Sequence, residues 1–163
     1  MIATLHTPCG RLFLYGDASK VVRISWSHLA GRNHAGCLDW AVKDLYNYFQ
    51  GKTRIFTGGL DFWEGSVAWI RSGDTRPPRN RLQKVLYLMS MIPYGTTVTY
   101  GDLARSIGGT RYSRFVGQVC RLNPLPVIIP CHRVVARDSI GGYSYGIKKK
   151  RCLLELEGHR KYV

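Results

Sequence analysis

The sequence predicts an α+β fold in two parts. Residues 1–75 read as a small N-terminal α/β domain of three or more strands with a helix. Residues 76–163 read as a mostly helical C-terminal domain carrying a helix-turn-helix. Three observations carry this. Short β-prone runs separated by turn residues open the chain, apolar residues recur at helical spacing beyond Arg81, and the charge changes abruptly between the halves.

Residues 2–6 and 11–15 flank Thr7-Pro-Cys-Gly10 and predict a β-hairpin, with Val21–Trp26 as a third strand. Leu29–Gly36 is expected to be a loop. Cys37–Gln50 places Leu38, Ala41, Val42, Leu45, Tyr48 and Phe49 at helical spacing, and Gly51 stops it. Arg54–Ile70 is aromatic-rich and shows no clear period, so it receives no assignment. The stretch from Gly73 to Asn80, with its Pro-Pro pair, is the expected boundary.

Beyond it, Arg81–Ile92 presents Leu82, Val85, Leu86, Leu88 and Met89 on one broad face, and Pro93-Tyr-Gly95 ends the helix. Thr96–Thr99 is short and β-prone. Tyr100–Ile107 and Ser113–Leu122 are short helices, closed by Gly108-Gly109 and by Asn123-Pro124, which is the outline of a helix-turn-helix. Helical hairpins are common in protein cores, so the outline alone names no partner. Arg105, Arg111, Arg114 and Arg121 add weight, because no acidic residue occurs between Asp102 and Asp138 and a phosphate-facing helix must avoid carboxylates. Gly117 sits mid-helix, at a cost of about 1 kcal/mol relative to Ala. The close approach of another backbone, protein or DNA, would compensate.

The 163 residues carry a formal net charge of +14, with 45% hydrophobic and 12% aromatic residues, which argues against intrinsic disorder. Residues 1–75 hold 8 basic and 6 acidic side chains, whereas residues 76–163 hold 16 and 4, so nearly all the excess lies in the second part. An anionic partner is expected: nucleic acid, a membrane surface or a polyanion. A generally basic chain kept soluble by self-repulsion is the plainer alternative. No apolar stretch approaches the roughly 18 residues of a membrane span, and Met1–Gly10 has no secretory pattern.

Cys9, Cys37, Cys120, Cys131 and Cys152 are odd in number and widely spaced, which predicts free thiols and an intracellular setting. His28, His34 and Cys37 are loosely grouped, but polar loop residues explain them and no metal is expected. Cys131 stands apart. Val127-Ile-Ile129 leads to Pro130, which fixes φ and presents the next residue rigidly. His132 and Arg133 follow directly, so the thiol is expected in an electropositive setting that lowers its pKa. In an extended segment neighbouring side chains point to opposite faces, so His132 needs a bend or a water to reach Cys131. Glu157, or else Glu155, is the candidate to orient His132.

Pro130-Cys-His-Arg-Val134 resembles the signature of the O6-alkylguanine-DNA alkyltransferases. Pro93-Tyr-Gly-Thr-Thr-Val-Thr-Tyr100, Ser113-Arg-Phe-Val-Gly117, Asn123-Pro, Gly141-Gly-Tyr-Ser144 and Leu153-Leu-Glu-Leu-Glu-Gly158 follow in the family's order and spacing, so the resemblance covers about residues 81–158. Residues 1–75 agree only in length and α/β character. The resemblance implies a winged-helix-like C-terminal domain. It implies a single-turnover methylated-DNA–[protein]-cysteine S-methyltransferase, in which one Cys takes the alkyl group from O6 of a damaged guanine and is not regenerated.

Carried over residue by residue, Cys131 would be the acceptor, His132 its base through a water, and Glu157 the group orienting His132. Asn123 would hold the turn between recognition helix and active-site strand, and Tyr100 would protonate the leaving guanine. The Cys131 and Val134 carbonyls would accept from the guanine amino group, Tyr143 would wall the pocket, and the Ser144 region would donate to O6. Arg114 would fill the place of a base flipped from the minor groove, with Gly117, Ser113 and Arg111 along the DNA. Phe115, Cys120 and Tyr145 depart from the family pattern and bear on pocket width, Cys120 also as an off-target thiol. Lys148–Arg151 reads either as a phosphate contact or as a solvated helix start. The implied partner is double-stranded DNA carrying alkylated guanine. No membrane and no cofactor are expected, and the protein is expected to be a monomer, cytoplasmic or, in a eukaryote, nuclear. A damage-binding protein without transfer, a helix-turn-helix regulator and a turnover Cys-His hydrolase are the competing readings.

Overall fold

The computed structural model describes residues 1–29, 38–63, 66–71, 73 and 75–162. It divides into two units, Met1–Pro77 and Pro78–Val163.

In the first unit, β1 (Ile2–Thr7) and β2 (Gly10–Gly16) form the expected hairpin, with Ile2 opposite Tyr15 and Thr7 opposite Gly10. At the next turn, Asp17 accepts from the Ser19 and Lys20 amides, which sets β3 (Lys20–Ser25) antiparallel to β2. The helix α1 (Asp39–Phe49) buries Ala41, Leu45, Tyr48 and Phe49 on one face and packs on β1. Its expected start at Cys37, most of the Leu29–Gly36 loop, and His34 lie outside the described residues.

The unassigned Arg54–Ile70 stretch supplies β4 (Gly59–Trp63) and β5 (Ser66–Ile70). The sheet order is β1-β2-β3-β5-β4, antiparallel throughout. β5 is an interior strand in which Val67, Ala68 and Trp69 are all buried. A strand covered on both faces loses the alternation that announces a strand. Trp69 stacks edgewise with Trp40 and Phe56, and its indole Nε1 donates to Thr57 O at 2.7 Å.

In the second unit, α2 spans Arg81–Ser90, two turns' worth of buried Val85, Leu86 and Met89 beneath an Asn80 cap that accepts from Gln83 N at 2.9 Å. The short β6 (Val98–Thr99) runs into α3 (Tyr100–Arg105), whose start is a reciprocal Thr99–Asp102 capping box. α3 is shorter than the expected Tyr100–Ile107. Gly108 and Gly109, both at positive φ, turn the chain toward α4 (Ser113–Leu122), so α3 and α4 form the helix-turn-helix. The φ of 123 favours glycine at Gly108, where a Cβ would also stand 3.2 Å from the Tyr112 ring, a tight contact.

After α4 the implied active-site strand is reduced to β7 (Val134–Val135), parallel to β6, and Cys131–Arg133 form a 3-10 turn. The chain therefore bends at the cysteine rather than passing it extended. α5 (Ile147–Leu156) closes the unit. No described helix is long and apolar enough to cross a membrane. Among the described residues, Cys120 and Cys131 are free thiols.

Candidate active site

The segment from Asn123 to Cys131 is folded around one side chain. Asn123 ends α4 with its amide buried. Its Nδ2 donates to Ile129 O at 2.7 Å and to Cys131 Sγ at 3.1 Å, while its Oδ1 accepts from Leu125 N at 3.0 Å. Val127, a β-branched residue, is held at φ 78 within this loop. Such a backbone costs about 1–3 kcal/mol and persists only where its surroundings enforce it.

Cys131 is buried, and a cavity of about 340 Å³ opens beside it. α4 lines that cavity with Arg114, Gly117, Gln118, Cys120 and Arg121. Tyr100 comes from α3, and Gly142, Tyr143 and Ser144 from the following loop. Tyr100 Oη donates to Gly142 O at 3.4 Å, Ser144 Oγ to Arg121 O at 3.5 Å, and Tyr143 stands edgewise to Tyr145 at 5.8 Å. Ser113 and Arg111 do not line it: Ser113 Oγ donates to Thr110 O, and the Arg111 guanidinium lies over the Tyr112 ring. Phe115 is half-buried outside the cavity.

His132 is fully buried behind the cysteine. Its Nε2 meets Glu157 Oε1 at 2.8 Å. Arg133 closes on the same carboxylate, Nε at 2.9 Å from Oε2 and Nη2 at 2.8 Å from Oε1, and gives Nη1 to Ile92 O at 2.6 Å. Burial opposes ionisation of Glu157, but the hydrogen bonds from His132 and Arg133 outweigh it and hold the carboxyl far below its usual range. An ionised Glu157 only accepts, so it assigns the proton to Nε2 and leaves the lone pair on Nδ1, a buried atom with no protein partner. Burial lowers the His132 pKa against the pull of Glu157, so the ring is neutral.

This arrangement overturns the expectation that His132 and Arg133 supply the positive charge beside the thiol and lower its pKa. Arg133 spends its charge on Glu157, and His132 carries none. Burial instead raises the Cys131 pKa, opposed by the Asn123 hydrogen bond and by the charge of Lys150. Lys150 corrects the reading of the Lys148–Arg151 run as a phosphate contact or a solvated helix start. It is wholly buried, and its Nζ donates to Val134 O at 2.6 Å and Gly142 O at 3.0 Å, with the Tyr100 ring centroid 6.0 Å away. Burial pulls its pKa down to about 8, while the two free thiols Cys131 and Cys120 act the other way. The signal for it was helical spacing, because Lys150 shares the stripe of Leu153, Leu154 and Glu157 at i+3, i+4 and i+7. Lys150 also occupies the Val134 carbonyl, and Val134 itself does not line the cavity. Among the described residues no group of three or more His, Cys, Asp or Glu side chains is arranged to hold a metal.

Gly117 faces open space. A Cβ there would lie 4.0 Å from Tyr100 Cε1, an ordinary contact, so no described protein backbone demands this glycine.

Known proteins resemble this chain in sequence and fold. A family model described as the DNA binding domain of 6-O-methylguanine DNA methyltransferase matches residues 80–159. A methylated-DNA–protein-cysteine methyltransferase of Methanocaldococcus vulcanius is 52% identical over 79 residues, a stretch covering 48% of either chain. The chain thus matches about half the length of that relative. One of the same name from Mycobacterium bovis is 34% identical over 165 residues, covering 96% of this chain and 92% of the relative. A solved structure of Mycobacterium tuberculosis OGT in complex with DNA superposes with a TM-score of 0.74 at 32% identity, covering 98% of this chain and 93% of that one. With a free cysteine set beside a helix-turn-helix and relatives that match both units, the chain belongs to the O6-alkylguanine-DNA alkyltransferase, or methylated-DNA–protein-cysteine methyltransferase, family.

Proposed function

We propose that the protein repairs alkylated DNA by moving the alkyl group from O6 of a guanine to its own Cys131, irreversibly and once per molecule. The observation that carries this is a free, buried thiol held by Asn123 at the edge of a cavity whose other wall is the second helix of a helix-turn-helix.

The duplex delivers the base. Chemistry at O6 needs the nucleotide out of the stack, at a cost of a few kcal/mol. Arg114 is exposed at the cavity and takes the vacated place. The thiol proton passes to Nδ1 of His132 across a bridging water, and Glu157 steadies the resulting charge. Lys150 supports the thiolate electrostatically. The sulfur attacks the alkyl carbon from the side opposite O6, the S–C bond forms, and the C–O6 bond breaks with its electron pair left on guanine. Tyr100 supplies the proton. Burial and the neighbouring thiols push its phenol up to about 12, so it is protonated at neutral pH. One proton leaves Cys131 and one reaches guanine. The Cys131 and Val134 carbonyls accept from the guanine amino group, Val134 with the lone pair that Lys150 leaves free.

The test is a mass measurement. Incubation with a duplex containing O6-methylguanine is expected to leave one methyl group on the Cys131 peptide and none elsewhere. An unmodified Cys131 sinks the reading, and repeated turnover would point to a hydrolase.

Two variants probe the DNA side. Arg114→Ala is expected to slow transfer from duplex by about 10- to 100-fold, the weight of losing a group that offsets unstacking. Transfer from a free O6-alkylguanine base should change little. Equal losses on both substrates count against the role of Arg114. Gly117→Ala is expected to stabilise the fold by about 1 kcal/mol in thermal melting while weakening duplex binding. A variant that gains stability and binds as before shows that close approach to DNA is not what keeps the glycine.

A further inference from the structure

The second unit has a groove of about 650 Å³ that shares no lining residue with the cavity at Cys131. α2 supplies Arg81, Lys84, Tyr87 and Leu88 to it, successive members three or four residues apart and so on one helix face. Arg79, ahead of α2, and Ile107, beyond α3, border the same space. Its inner part is apolar, with Ile107 buried and Leu88 half-buried. Its rim is cationic, with Arg79, Arg81 and Lys84 all exposed beside an exposed Tyr87. Among the described residues no ion pair involves these three cations. No acidic residue occurs between Asp74 and Asp102, and the first turn of α2 has none where the helix dipole favours one. The cations repel one another and the helix end, a cost that an anion seated among them removes.

We propose that this groove docks an acidic segment of another protein, which sets a large apolar side chain against Leu88 and Ile107 and its carboxylates against Arg79, Arg81 and Lys84. An apolar centre inside a polar rim is the anatomy of a protein interface, and Tyr and Arg are the residue types that most often carry its binding energy. Clusters of arginine are also a recurring means of reading acidic motifs. Duplex DNA answers the charge of the rim but not the apolar interior, because its backbone offers phosphates and sugars and no flexible apolar group to fill a recess. Arg81 marks the border between the two surfaces. Its guanidinium lies 4.5 Å from the centroid of the Tyr112 ring, and Tyr112 immediately precedes α4. The groove therefore ends where the helix-turn-helix begins.

Fluorescence polarisation on the full-length protein tests this. The probes are a short labelled peptide of Asp and Glu around one central Phe, a second in which Ser replaces the Phe, and a labelled undamaged duplex. The first peptide is expected to bind saturably, and the second about tenfold more weakly. Arg79→Ala combined with Lys84→Ala is expected to weaken the first peptide about tenfold. Arg11→Ala combined with Arg23→Ala removes the same charge from exposed positions of the first unit and should change it by less than about twofold. Tyr87→Ala, also at an exposed position, is a second probe of the groove and should weaken the same peptide. Circular dichroism reports that each variant is folded. No saturable binding up to about 1 mM overturns the proposal, as does equal affinity for the two peptides or an equal loss in the two double variants. A groove variant that keeps the peptide and loses the duplex overturns it too and gives the groove to DNA. Methyl transfer to Cys131 is read separately on the same proteins, so the repair reading stands or falls on its own.

Discussion

A Cys131→Ser variant is expected to accept no alkyl group while still binding alkylated duplex. Serine preserves the shape of the site and the Asn123 contact, but its hydroxyl is a far weaker nucleophile at neutral pH than a thiol that can ionise. Transfer should fall by at least about 10³-fold, below detection in an intact-mass assay. Duplex affinity should stay within a small factor of the wild type and should decline as salt is added, because in the proposed function the exposed Arg105, Arg111, Arg114 and Arg121 would act on phosphate. Residual adduct in this variant would place the acceptor elsewhere. Lost binding would make the cysteine part of the DNA grip, which its burial argues against.

Glu157→Gln is expected to destabilise the second unit by about 3–5 kcal/mol, the usual cost of stranding one partner of a buried ion pair. Arg133 would keep its buried guanidinium with no carboxylate, and an amide that both donates and accepts would no longer fix the His132 tautomer. Chemical denaturation measures the first effect. The double change Arg133→Met with Glu157→Leu separates the two, because it removes both charges. It should recover most of the stability and none of the transfer rate. Recovery of both would reduce Glu157 to a structural role.

The same residues set the acid response. Glu157 is held below its ordinary 4.5, so its stabilisation is complete above that value and is lost as pH falls toward the folded-state value. His132 is held below its ordinary 6.5, so the unfolded chain takes up a proton first and stability declines as pH falls beneath 6.5. Both act in one direction. The wild type should lose stability from about pH 6.5 downward, and the Gln variant should show a flatter slope below pH 4.5.

How much of this could be read in advance varies along the chain. α4 was expected over Ser113–Leu122 and spans those residues, because glycines precede it and Asn-Pro follows it. The β1–β2 hairpin was equally plain, since a turn separates two short β-prone runs. β5 was not, because an interior strand buried on both faces shows no period of two, and without it nothing marked its edge partner β4. At the site, the residues themselves pointed to Cys131 and the family resemblance to Asn123, Tyr100, Tyr143 and Ser144, and the structure gathers them around one sulfur and its cavity.

By itself, then, the sequence determined which chemistry the second unit is equipped for. The order of its motifs, the helix-turn-helix and the placement of the positive charge are all properties of residues close together in the chain. Only the tertiary structure decided where that charge acts. Arg133, adjacent to His132 in sequence, is cancelled by a carboxylate 24 residues away, while Lys150, one of a run of four cations, turns inward to become the cation acting on the cysteine. Neighbours along a backbone share a covalent spacing and nothing more. Whether two charges meet, and whether water stands between them, depends on contacts that only the folded chain makes, and these set the ionisation of every group in the site.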